Sequence, residues 1–220
     1  MDPIPAKDAP TRVRRHPERG AYDRETIAAI LDEAFVCHLG FVHDGRPFVI
    51  PTIHARSGDV LYLHGSPASR MLRTLSDGVD ICVTVTLLDG LVLARSVYNH
   101  SMNYRSAVVL GRAREVTDRN EKLAALATIV EHMVPGRSGD ARPPSDKELA
   151  GTLVLALALD EASAKIRNGP PSDFDADLDL AVWSGVVPMR LVLDPPEPDA
   201  NIPPRVDLPD YLTGSRAEDL

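Results

Sequence analysis

A chain of 220 residues with 44% hydrophobic and 25% charged residues can bury one full core without disulfide or metal staples. Its net charge of −8 argues against a nucleic-acid partner, which needs a basic surface. No run of 18 apolar residues occurs, which argues against a membrane-spanning helix. Residues 1–15 mix Pro, Asp, Lys and Arg and lack the apolar centre of a signal peptide. The two cysteines, Cys37 and Cys82, sit in apolar runs and read as buried thiols, so a reducing, cytoplasmic setting is expected.

In chain order, residues 1–20 read as a mobile polar arm. Asp23 is a good N-cap, and Ile27, Ile30, Leu31 and Phe35 recur at helical spacing, so a helix is expected over 24–34. Two apolar runs, 34–42 and 47–54, flank Asp44-Gly45, a hairpin signal. A third strand covers 60–64. Ser66-Pro67 is expected to open a second helix, with Met71, Leu72 and Leu75 on its apolar face. Strands follow at 79–87 and 91–95, joined near Asp89-Gly90, and then at 104–116. Asp118 and Glu121 have capping-box spacing before a helix that stops at Pro135-Gly136. Residues 145–149 suit one helical turn, and 152–159 a last clear strand. Residues 168–179 read as an acidic surface loop. Residues 182–193 are apolar, and 196–220 read as an extended tail after a domain spanning 21–195. The whole predicts a mainly β fold with appended α-helices, an antiparallel barrel.

Candidate chemistry concentrates where the strand ending at His64-Gly65 runs into a helix. Free N–H groups, the hydroxyls of Ser66 and Ser69, and the fork of Arg70 suit a phosphate. The same residues equally suit an ordinary capped helix with a solvated arginine. No His-x-x-x-His or Cys-x-x-Cys pair announces a metal, and no Gly-x-Ser-x-Gly or Gly-x-Gly-x-x-Gly is present. His54, His64 and His100 stay open as haem ligands or as hydrogen-bonded structural histidines. Trp183 suits either core packing or stacking on a planar ligand.

Four stretches carry a family likeness: PFVIPTIH, LYLHGSPASRML, HSMNYRSAVVLGRARE and EASAKIRNGPPSDFDADLDLAVWSGVVP. On them the chain resembles, from about His16 to Pro195, the pyridoxamine 5'-phosphate oxidase-like split barrels that bind flavin. Within that group it is most similar to the flavin-nucleotide-binding or nitroimidazole-resistance-like branch. The resemblance implies an antiparallel split β-barrel, FMN as cofactor, and a homodimer holding flavin at the subunit interface. It implies backbone contacts to the flavin ring from Ile50, Pro51 and Thr52. Phosphate contacts are implied from Ser69, Arg70 and Met71, where the family has Ser-Arg-Lys, with Ser66 as a compensating group. The family's Arg-Gln pair falls on Arg105 and Ser106, and its Trp-x-Gly on Trp183. His64 matches a strand histidine with a role in reduction, so it is the candidate catalytic residue.

The substrate-gripping Arg-x-His-x-Arg element of the oxidases is missing, and residues 189–193 offer only Arg190. Oxidation of pyridoxamine or pyridoxine phosphate is therefore not expected. The function implied is a flavin-dependent oxidoreductase for a small aromatic or nitro-bearing substrate. The alternatives are a non-catalytic flavin store or redox sensor, or a haem- or deazaflavin-binding barrel of the same fold.

Overall fold

Local turn chemistry sets the pairing. In the computed structural model, which describes residues 9–213, Asp44 (φ 50°) and Gly45 (φ 73°) both take positive φ and turn β2 (Val36–His43) tightly into β3 (Arg46–Ser57). Gly58, also at positive φ, carries β3 into β4 (Val60–Gly65). Before this hairpin a short β1 (Gly20–Ala21) precedes α1 (Arg24–Glu33). Asp23 caps α1 as expected, its carboxylate accepting the Thr26 N–H at 2.8 Å.

The second helix differs from expectation. Ser66 accepts the Ala68 N–H in a local turn, and α2 (Arg70–Ser76) begins only after Ser69, whose hydroxyl caps it. Asp89-Gly90 also departs from expectation. It is an irregularity within one continuous 14-residue strand, β5 (Asp80–Leu93), rather than a connection between two strands. There follow β6 (Ser101–Arg112), β7 (Arg114–Glu115), α3 (Arg119–Met133), α4 (Arg137–Asp140) and α5 (Asp146–Ala150). The chain then adds β8 (Leu153–Ala158), β9 (Glu161–Arg167) and β10 (Gly185–Pro188).

The ten strands form one antiparallel sheet in the order β1-β9-β6-β5-β2-β3-β4-β8-β7, with β10 added on β5. Only Ala113 separates β6 from β7, yet β6 lies third in the order and β7 last. The sheet must therefore curl back on itself. Gly111 allows the bend: its φ is 155°, and a Cβ there would stand 3.0 Å from Leu157 Cδ1. No pairing joins β7 to β1, so the barrel is split rather than closed, the fold expected from the sequence.

Leu39, Val83, Val109, Leu61, Leu63, Leu155 and Leu157 fill the barrel. Ile30 and Leu31 of α1 and Leu72 and Leu75 of α2 are buried with them. β8 is buried on both faces, because Val154 and Ala156 belong to a second core with Val116 and Ala125 of α3. Cys37 is fully buried, and burial pushes its thiol up to about 12. No helix among the described residues is long and apolar enough to cross a membrane. The expected arm 1–20 and tail 196–220 run past the described residues at 1–8 and 214–220. The described arm residues 10–15 lie against β6 and β9. Near the end of the described tail, Tyr211 donates its hydroxyl to Asp140 of α4 at 2.6 Å.

Candidate functional site

Helix α3 stands across β3, β4 and β8, pinned at both ends. At its start the Asp118 carboxylate caps the Glu121 N–H, and Glu121 accepts from Tyr62 on β4 at 3.3 Å. At its end His132 Nε2–H donates to the Ala34 carbonyl at 2.8 Å. Beside it His54, fully buried, donates Nε2–H to the Leu31 carbonyl at 3.0 Å. A carbonyl only accepts, so His54 Nδ1 is the bare ring nitrogen, and it has no partner. Burial pushes the His54 pKa down to about 4.

Between these anchors α3 and the segment 138–148 do not close against each other. A cavity of about 790 Å³ opens there, walled by Leu126, Ala127 and Val130 of α3 and by Pro143 and Pro144. His64, at the end of β4, borders it. The His64 ring is half-buried, its Nδ1 is enclosed without a partner, and burial lowers its pKa. It is thus a neutral imidazole facing an apolar space, suited to ligating a metal centre or accepting one hydrogen bond. Charge enters through one pair: Arg142 donates to Glu148 at 2.6 and 2.8 Å, and both line the cavity.

The other residues singled out from the sequence lie elsewhere. None of Ile50, Pro51, Thr52, Arg70, Arg105 or Trp183 lines the His64 cavity. On β3, Ile50 and Thr52 are half-buried, and Pro51 is exposed opposite His38. Ser66 is exposed, and Ser69 is spent on the helix cap. Arg70 is exposed, with its guanidinium 4.6 Å above the Phe48 ring and no ion pair among the described residues. Met71 is 8% exposed and belongs to the barrel core.

Arg105 is fully engaged. It donates to Glu33 at 2.7 Å and to Asp89 at 2.8 Å, and these bonds raise its pKa. It borders a second cavity of about 550 Å³, formed with Leu87, Met189 and Arg190. Ser106 donates to the Lys165 carbonyl at 3.2 Å. Trp183 is 65% exposed. Its ring folds over Gly185, where a Cβ would come within 2.8 Å of ring carbon Cη2. That close approach gives the Trp-x-Gly spacing a physical reason. Along the sheet, β2 and β5 separate β3 from β6, about 14 Å at ordinary strand spacing. One chain therefore does not bring residues 50–52 against Arg105 by sheet pairing.

The family profile described as pyridoxamine 5'-phosphate oxidase matches residues 23–166. The chain belongs to this family. Among solved structures of the family's fold, flavocytochrome Anf3 from Azotobacter vinelandii is 43% identical, with a TM-score of 0.88 over 94% of this chain and 96% of that one. The FAD and heme binding protein from Mycobacterium smegmatis is 35% identical, with a TM-score of 0.86 over 90% of this chain and 98% of that one. A Bacteroides thetaiotaomicron protein assigned to 5-nitroimidazole antibiotic resistance is 27% identical, with a TM-score of 0.55 over 67% of this chain and 86% of that one. Curated proteins gave no match.

Family membership leaves several neighbours of these residues unannounced. Glu33 and Asp89 clamp Arg105 from α1 and β5, a partnership across 72 and 16 residues that no local motif signals. Asp173, its side chain 3% exposed, accepts from the Arg95 backbone and guanidinium and from Ser184, and so fastens the Trp183 segment to the end of β5. The wall of the His64 cavity comes from residues 64, 123–130 and 138–148, which only the tertiary fold unites.

Proposed function

We propose that this chain is a redox protein that binds both a flavin and a haem. The observation that carries the proposal is the neutral His64 imidazole at an apolar cavity large enough for a planar cofactor. In support, relatives aligned over 90% or more of this chain are a flavocytochrome and an FAD- and haem-binding protein. His64 would hold the iron, α3 would face the porphyrin, and Arg142 would offer a cation to its carboxylates. The flavin would lie along 50–52 of β3, with the unpaired Arg70 for its phosphate. Haem supplies one-electron chemistry and flavin one- or two-electron chemistry, while the protein binds, orients and shields them. The resemblance implies FMN, whereas the Mycobacterium smegmatis relative binds FAD. The extracted nucleotide decides between them.

The homodimer belongs to the same proposal. Trp183, Leu191 and Val192 are each more than 60% exposed, and Val49 of β3 is 67% exposed. Such apolar area on a lone subunit calls for a cover. Cytoplasmic residence is proposed with it and fits the two free thiols. A second reading, reduction of a small nitro-aromatic compound, is favoured by the likeness to the Bacteroides thetaiotaomicron protein. Pyridoxine phosphate oxidation is not proposed, since Arg190 lacks the partners that would grip the substrate.

The absorption spectrum of the purified protein tests the proposal. Flavin bands near about 375 and 450 nm together with a Soret band near about 410 nm are expected. Flavin alone would remove the haem from the account, and a colourless protein that takes up neither cofactor would remove both.

A further inference from the structure

The arm that precedes β1 builds a third, separate concavity. Residues 10–15 cross the outer face of β6 and β9 and leave a pocket of about 270 Å³ above it. The arm is held in place by backbone contacts. The Val13 N–H donates to the Tyr22 hydroxyl at 3.0 Å, and the Arg12 N–H closes a turn on the Ala9 carbonyl at 3.1 Å. Gly20 makes room for this approach, since a Cβ there would stand 2.9 Å from Tyr22 Oη and 3.1 Å from Val13 Cβ.

The lining is one-sided in charge. Arg14, Arg15 and Lys165 contribute three cations beside Arg12; Thr11 and Ser163 contribute hydroxyls, Ser106 being spent on the Lys165 carbonyl; and no carboxylate is among the lining residues. Ser163 is only 5% exposed, so the floor is enclosed. Among the described residues, Arg14, Arg15 and Lys165 form no ion pair. Arg56, Arg95, Arg105, Arg112, Arg114, Arg119 and Arg142 differ in being tied to carboxylates. In a chain of net charge −8, the three cations Arg14, Arg15 and Lys165, clustered with no carboxylate in the pocket lining, form a focused positive field.

We propose that this pocket binds a diphosphate group. Arginine forks and hydroxyl donors around a small enclosed floor match the several oxygens and the charge of a diphosphate better than a single carboxylate. A nucleic-acid strand would meet the repulsion of the acidic remainder of the surface. The diphosphate can come from two sources, free pyrophosphate or the diphosphate of a nucleotide other than the flavin.

The test is calorimetric titration of sodium pyrophosphate into the protein as purified, with cofactor content measured alongside. If the ligand is free, one saturable site per chain appears. It weakens about tenfold or more in Arg14→Ala/Arg15→Ala and in Lys165→Gln. The remote pair Arg46→Ala/Arg205→Ala, with the same change in charge, leaves it unaltered. If a second nucleotide fills the pocket, the purified protein takes up no pyrophosphate, and the non-flavin nucleotide released on denaturation is lost in the Arg14→Ala/Arg15→Ala protein. Equal pyrophosphate binding in parent and double variant overturns the proposal. So does absence of uptake together with unchanged released nucleotide. A protein without flavin or haem still reports through the pyrophosphate arm, so the two proposals fail separately.

Discussion

The outer faces of this split barrel meet two different fates. Over β3, β4 and β8 the chain lays its own helix α3, caps it at Asp118, ties it down through Tyr62 and His132, and leaves a groove beside His64 between α3 and residues 138–148. Over β5 and β10 only the end of α1 arrives, through Glu33, and Trp183, Leu191 and Val192 stand exposed. The first face is covered within one chain beside a cavity of about 790 Å³. The second leaves an apolar strip that, in the proposed homodimer, another subunit would cover. A cavity of the first kind selects a ligand by shape, while an open apolar strip of the second kind selects a partner by area.

Substitutions on the two faces should therefore fail in different ways. Leu155→Ala hollows the barrel behind the covered face, and chemical denaturation should show a loss of about 2–5 kcal/mol. Acid should also act on the covered side. His54 has a folded pKa of about 4 against 6.5 in the unfolded chain, so its contribution is full above about pH 6.5 and is lost as pH falls through 4. The loss is at most about 3 kcal/mol, and His54→Gln should flatten most of it, with His64 supplying a residual slope of the same sign. On the open face, Trp183→Ala should raise the dimer dissociation constant about tenfold or more in sedimentation velocity. A strictly monomeric parent protein would end the contrast between the faces. The smallest effect is expected at Tyr211→Phe. That change removes the hydroxyl that donates to Asp140 and accepts from Arg137, and it should cost about 0.5–1 kcal/mol, read as faster amide exchange over 136–142.

What could be read from the sequence follows the range of the interactions. Asp23, Asp44-Gly45, Asp118 and Ser145 act within four residues, and the helices and hairpin they announce stand where expected. Ser66-Pro67 misleads because two serines three apart compete for one cap, and Ser66 settles into a turn on Ala68. β9 goes unannounced because Glu161–Arg167 has small and polar residues in place of alternating large apolar ones. It is held by pairing with β6 and β1. The covered cavity was illegible for a stricter reason. His64 comes from a strand and its walls from residues 59 or more positions later, and nothing local marks the gap that α3 leaves. Arg105 shows the converse: a motif marks the residue, but only the fold reveals that Glu33 and Asp89 occupy its guanidinium.

The central claim is that the covered face holds a haem through His64. Titration of haemin into the apoprotein, read in the Soret region for the parent and for His64→Ala, tests it most directly. The account predicts one haem per chain with a sharp shifted Soret band in the parent, and at least about tenfold weaker uptake in the variant. Equal affinity and an identical spectrum in the two proteins would contradict it.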